Sequence, residues 1–186
     1  MHGFESLVGE LLEADGYWVR RAYKVQLTKA EKVAIGRPSS PRWELDLIAF
    51  RPGANTLLVV ECKSYLDSPG VRLTSLDGGP GASRYKLFTE PKLRRVVFAR
   101  LAKDVLSQRL CSRSPKIRLA LAAGRVKGNE TALAQRCADR GWEFFGPTWL
   151  LDRLSGLSEQ GYENSVGLMV AKLLIRNGRV SQRVSA

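Results

Sequence analysis

The chain has 186 residues, 44% of them hydrophobic, enough to build one ordinary domain with a true core. Lys and Arg number 30 against 18 Asp and Glu, and the resulting charge of +12 favours a polyanionic partner, nucleic acid above all, over an acidic small molecule. With one histidine, His2, and three widely spaced cysteines, Cys62, Cys111 and Cys137, there is little from which to build a zinc site, an HNH-type nuclease or a Ser-His-Asp triad.

Residues 3–15 carry Phe4, Leu7, Val8, Leu11 and Leu12 at the spacing of an amphipathic helix, which Gly16 ends. Tyr17 to Val25 mixes aromatic, β-branched and basic residues and predicts a strand, and residues 26–42 close on RPSSPR, a loop signal. WELDLIAF predicts a strand with Leu45, Leu47 and Ala49 on one face and Glu44, Asp46 and Ile48 on the other. RPGAN makes a turn and TLLVVECK returns as the second strand of a hairpin. Residues 64–90, rich in Gly, Pro and Ser, are too long for a simple connection and predict a functional or mobile loop.

Thr89 and Pro91 suit the cap and first turn of a helix running to about Arg109. IRLALAA follows as a buried strand, NETALAQRCADRG as a helix, WEFF as a short strand and PTWLLDRL as a helix. A last amphipathic helix is expected to turn Val166, Met169, Val170, Leu173 and Leu174 inward. The four tryptophans, Trp18, Trp43, Trp142 and Trp149, are expected at the core or its edge. The chain contains neither an apolar run of about 18 residues nor a signal-peptide pattern, which predicts a cytoplasmic protein without a membrane partner.

Carboxylates, lysine and a hard metal are the hydrolytic chemistry this composition permits. A hairpin turn centred between Gly53 and Ala54 sets Asp46 opposite Glu61 and Glu44 opposite Lys63. Two carboxylates facing each other in a sheet repel unless a cation is shared, and Mg²⁺, for which Mn²⁺ can substitute, takes a few carboxylates and waters. Lys63, on the same face as Glu61, is then placed to orient the nucleophile and offset charge on a phosphate. Cys62 points the other way, into the core. On the first helix, Glu5 lies about 90° from the centre of the apolar stripe and is the acid nearest the helix–sheet seam, with Glu10 a weaker choice. The alternative is plain: ExK is a common tripeptide, and Glu44 in particular reads as a partner in a cross-strand salt bridge.

GFESLVGELLEADGYWV, ELDLIAF and LLVVECKSY resemble the PD-(D/E)XK nuclease superfamily, and within it Mrr-like restriction endonucleases and archaeal Holliday junction resolvases. ALAQRCADRGWEFFGPTWLLDRL is similar to the late helix, strand and closing helix of the Mrr-like members. The resemblance implies an α/β fold with a restriction-endonuclease-like core, a central mixed β-sheet flanked by helices in the order αβββαβ followed by αβαα. It implies one nuclease-like domain over 1–177, with 178–186 as a flexible tail. It further implies that Glu5, Asp46 and Glu61 ligate the metal, with Lys63 completing the catalytic set. Leu45 stands where the motif's name has Pro, and many Mrr-like members carry Gln in place of Glu61.

The function expected from these residues is a Mg²⁺-dependent DNA endonuclease, restriction-like or junction-resolving, acting on duplex or branched DNA. A homodimer follows if each site cuts one strand. The competing expectation is a nucleic-acid-binding subunit that keeps a nuclease-like fold without cutting. Arg20, Arg21, Lys24, Arg72, Arg84, Lys86, Arg94 and Arg95 cluster in sequence around the proposed site and are the candidate DNA contacts. Tyr65 and Tyr85 lie in the long loop, where they could stack on bases.

Overall fold

Helix α1 (Gly3–Ala14) forms where Val8, Leu11 and Leu12 recur on one buried face, and Gly16, at φ 83°, lets the chain turn out of it. The structure is a computed structural model and describes residues 3–159 and 165–176. His2 and the tail 178–186 lie outside those residues. After α1 come strand β1 (Trp18–Val25), the short helix α2 (Lys29–Ala34), and the hairpin strands β2 (Trp43–Arg51) and β3 (Thr56–Lys63). Two four-residue helices, α3 (Leu73–Leu76) and α4 (Lys86–Thr89), precede the long helix α5 (Pro91–Ser107). Strand β4 (Lys116–Ala123), helix α6 (Glu130–Asp139), strand β5 (Glu143–Phe145) and helices α7 (Pro147–Glu159) and α8 (Val166–Arg176) complete the order.

The five strands form one sheet in the order β1-β2-β3-β4-β5. The pairings β1–β2 and β2–β3 are antiparallel, and β3–β4 and β4–β5 are parallel, so the sheet is mixed and flanked by helices, as expected. One face packs on α5 and α6 through Leu57, Val59, Leu93, Val97, Leu101 and Leu133. The other packs on α1, α7 and α8 through Val8, Leu11, Leu47, Val60, Leu150 and Leu168. Burial on both faces explains why TLLVV and LALAA read as continuous apolar runs rather than alternating ones.

The strict alternation expected along β2 fails at Asp46. Leu47 and Ala49 face the α1 side, yet Leu45 joins Ile48 on the α5 side. Strand β1 changes face at the matching point: Val19 belongs to the α1 side, whereas Tyr23 and Val25 belong to the α5 side. Between them Ala22 has φ 50°, a left-handed conformation costly for a residue with a Cβ. Ala22 and Asp46 are the residues skipped opposite each other while pairing continues on both sides, Arg21 with Leu47 and Tyr23 with Leu45. The two strands thus flip their side chains together at one irregular step.

Five other expectations change. Residues 26–42 are not all loop, because Thr28 and Glu31 form a capping box that starts α2. The 64–90 segment is packed rather than loose: Val71, Leu76, Tyr85, Leu87 and Phe88 are buried against the α5 face. Tyr85, at 2% exposure, is therefore no surface platform for a base. Trp18 is no core residue either, being 70% exposed, while Trp142 is buried. Helix α8 exists, but its apolar stripe faces outward: Val166, Met169, Val170, Leu173 and Leu174 are all exposed and Leu168 is the residue it buries. The helix docks instead by that one leucine, by Gly167 lying close to Leu7, and by the Arg176 guanidinium on the Ser158 carbonyl.

Candidate active site

The β2–β3 hairpin takes the register expected from its turn, with Leu47 opposite Val60 and Arg51 opposite Thr56. The ladder stops at Leu47 and Val60, one step short of Asp46 and Glu61. Beyond that point the side chain of Asp46 bridges the two strands: its Oδ2 accepts the main-chain N–H of Cys62 at 2.7 Å. A charged acceptor thus replaces the carbonyl that a continued ladder would have offered, so that N–H is not orphaned in a half-buried place.

Glu61 and Lys63 extend from the same strand on one face, and Lys63 Nζ donates to Glu61 Oε1 at 2.7 Å. The pair is well shielded, with side-chain exposures of 19% for Lys63 and 21% for Glu61. Burial pushes the Glu61 carboxyl above the usual carboxylate range; the Lys63 charge pulls it back and the Asp46 charge pushes it up again. Lys63 keeps its proton: burial works against the ammonium, but Glu61 and Asp46 together raise its pKa. The ammonium lies 5.8 Å from the centre of the Tyr85 ring. Burial and the adjacent Tyr65 hydroxyl raise the Tyr85 phenol in turn.

Glu5 approaches from α1. With Phe4, Cys62, Lys63, Ser64 and Tyr65 it lines a small pocket where the start of that helix meets the end of β3. Cys62 packs against the α1-side core, as its alternation predicted. Its thiol is pushed up by burial and then by the carboxylates of Asp46, Glu5 and Glu61, so all three acids lie within electrostatic reach of one residue. Among the described residues, however, no three Asp, Glu, His or Cys side chains are grouped so as to hold a metal ion. Asp46 and Glu61 suit a cation that takes one or two carboxylates and keeps its waters, which is the habit of Mg²⁺.

Glu10 and Glu44 are occupied elsewhere. Glu10 accepts the Ser165 hydroxyl, and Glu44 lies 3.8 Å from Lys24 across β1 rather than beside Lys63.

The candidate DNA contacts divide. Arg21 pairs with Glu13 at 2.9 Å and lies where a Cβ on Gly9 would be, so it fastens β1 to α1. Arg94 donates to the carbonyls of Leu87 and Phe88 and is a structural clasp for α4. Arg20 donates to Gln108 and stacks over Tyr23, and Lys24 is engaged by Glu44. Arg72, Arg84, Lys86 and Arg95 are exposed and without an ion pair among the described residues.

One contributor escaped the sequence reading. Gly124 follows β4, donates to the Lys63 carbonyl, and has the Ser64 carbonyl oxygen only 2.4 Å from where a Cβ would stand. This close approach is what lets the chain leave β3 immediately after Lys63. A glycine ending an apolar strand is the signal that pointed to it.

No family model matches the chain, and no curated protein matches it. Among solved structures, the crystal structure of a protein of unknown function, AF1548, aligns at a TM-score of 0.42 and 16% identity. The alignment covers 94% of this chain and 76% of that one, a likeness too slight to carry an argument.

Proposed function

We propose that this protein is a Mg²⁺-dependent DNA endonuclease of the PD-(D/E)XK kind, restriction-like or junction-resolving, with Asp46, Glu61 and Lys63 at its centre. The observation that carries the reading is the Asp46 carboxylate bonded to the Cys62 N–H, beside the Glu61–Lys63 pair. That arrangement keeps two carboxylates and an ammonium together in a shielded place at a strand end, where a solvated polar face would have let them spread.

A bound Mg²⁺ would supply Lewis acidity and a lowered pKa for attacking water. Asp46 and Glu61 would hold it, and Glu5 would add an acceptor from α1 at the pocket it shares with Lys63. The Asp46 carboxylate is aimed by the Cys62 N–H, which costs no reorganisation when a cation arrives. Lys63 retains its proton, so it can swing from Glu61 towards a phosphate oxygen and offset charge there as the bond breaks. Arg72, Arg84, Lys86 and Arg95 would bear on the DNA backbone.

A second reading is favoured by one contact: the Lys63 ammonium occupies Glu61 Oε1 at 2.7 Å, as in a nuclease-like subunit that binds nucleic acid without cutting it. Purified protein incubated with Mg²⁺ and a panel of linear duplex, four-way junction, single strand and RNA distinguishes the two. Nicking or cleavage that Asp46→Asn abolishes supports the enzyme. Tight binding with every substrate left whole in Mg²⁺ and Mn²⁺ supports the subunit.

A further inference from the structure

A second concave surface lies at the far end of the sheet from Asp46. Trp18 opens β1, pairs with Phe50 across the sheet, and is 70% exposed. Its indole forms one wall of a groove floored by Phe50, Leu57, Val105 and Leu110. Arg20 lines this groove, Arg109 and Arg113 line an adjoining depression that shares Trp18, Phe50, Leu110 and Cys111 with it, and among the described residues no carboxylate lines either. Arg20 is held by Gln108 and Tyr23, whereas Arg109 and Arg113 are exposed and make no ion pair among the described residues. Phe50 lies four positions along β2 from Asp46, about 13 Å, and Ile48, which also lines the groove, lies two; Asp46, Glu61 and Lys63 are not among its lining residues, so the groove is separate from the candidate active site.

We propose that this groove binds single-stranded nucleic acid, taking one unpaired base against Trp18 and the flanking phosphates on Arg109 and Arg113. An exposed indole over an apolar floor offers a flat stacking surface that accepts any base. Two guanidiniums in the adjoining depression, without an ion pair among the described residues and on a chain of net charge +12, offer the anion sites that a nucleotide's phosphates require. An acidic peptide would satisfy the arginines but leave the indole and its floor without a matching surface. A duplex would meet the arginines with its backbone yet present no free base face to Trp18. The inference shares with the proposed function only the class of polymer bound, and uses none of its catalytic residues. A single-stranded arm would thus be held away from the bond being broken.

The test is anisotropy with a labelled oligothymidylate and, separately, a labelled blunt-ended linear duplex, on the full chain. Trp18→Ala is expected to weaken the single-strand affinity by roughly 5- to 150-fold, and Trp18→Phe to retain most of it. Both variants should melt like the parent, because the side chain is exposed. Duplex affinity should be unchanged in both. Replacing Arg109 and Arg113 together with Gln should reduce the salt dependence of single-strand binding by about 1.4 in log–log slope. The proposal is overturned if the parent fails to bind the oligonucleotide, if Trp18→Ala binds it as well as the parent, or if polyglutamate competes equally at matched charge. Failure of the catalytic reading looks different: Trp18-dependent binding would persist while no substrate is cut.

Discussion

The Asp46 carboxylate accepts the Cys62 main-chain N–H at 2.7 Å, at the point where the β2–β3 ladder has already stopped. Asp46 therefore closes the hairpin end, and on the proposed function it has a second, separable duty, holding a cation. Asp46→Asn keeps an oxygen able to accept that N–H but removes the charge, so cleavage should fall by several orders of magnitude while the fold and DNA binding persist. Asp46→Ala removes both, and should additionally cost about 1.5–3 kcal/mol of stability for a bond to a charged group. Urea unfolding of the two variants beside a cleavage assay measures this. Equal stability of Asn and Ala variants would mean the 2.7 Å contact contributes nothing to the fold.

If Glu61 ligates Mg²⁺ as proposed, cation binding should depend on pH. Its folded-state pKa is raised above the ordinary 4.5, chiefly by burial. Folding therefore favours the protonated form: the contribution of this group to stability is greatest below pH 4.5 and declines as pH rises through the higher folded value. A divalent cation needs the ionised form, so its affinity must climb over that same window. Thermal melts from pH 4 to 7 should show a Mg²⁺-induced rise in Tm that grows with pH in the parent and is lost in Glu61→Gln. Lys63→Met, which removes the charge pulling Glu61 down, should move the window further up, and Asp46→Asn should move it down. A Mg²⁺ effect of equal size at pH 4.5 and 7 would contradict the assignment of Glu61.

Gly124, just past the end of β4, meets the chain as it leaves β3 at the candidate site. An alanine there would set its Cβ 2.4 Å from the Ser64 carbonyl oxygen, a backbone atom that cannot swing aside. The expected cost is about 1–3 kcal/mol, as for other overpacked positions, with cleavage reduced beyond what the lower stability explains because Lys63 and Tyr65 flank that carbonyl. Gly53→Ala, in the hairpin turn with open space around it, is the control and should be close to neutral. A Gly124→Ala protein with parental melting and activity would show that the close approach relaxes freely.

The strands, their order along the chain and the register of the hairpin were readable because each rests on local signals: alternating or continuous apolar runs, a five-residue turn, and caps at Gly16 and Pro91. What the sequence hid was non-local. The flip at Ala22 and Asp46 requires two strands to break alternation together, and neither RRAYK nor WELDL carries a glycine or proline to mark it. The 64–90 segment looked loose by composition, but Val71, Tyr85 and Phe88 among its glycines are what bury it. For α8 the period identified an apolar stripe correctly and its direction wrongly, since periodicity defines a face and not what lies against it. At the site, the acids and the lysine were legible as a motif, whereas the Lys63–Glu61 contact and the burial that raises Glu61 needed the packing of Tyr85.

Arg94 and Arg95 are neighbours in sequence, one a structural clasp and the other, on the proposed function, a DNA contact, which a pair of substitutions can separate. Arg94 donates to the Leu87 carbonyl at 2.8 Å and the Phe88 carbonyl at 3.2 Å, and burial lowers its pKa. Losing it leaves two carbonyls at the α4–α5 junction without their donor, so Arg94→Ala should cost about 1–3 kcal/mol. Its effect on DNA affinity at a given salt concentration should be small once the folded fraction is accounted for. Arg95, one position on, projects into solvent and should behave in reverse. Arg95→Ala should leave the melting temperature unchanged and lower the log–log salt slope of duplex binding by about 0.9, the signature of one lost phosphate contact. If instead Arg95→Ala binds duplex with the parental slope, the α5 surface does not meet DNA, and the backbone contacts must be sought at Arg72, Arg84 and Lys86, on the segment that covers the site.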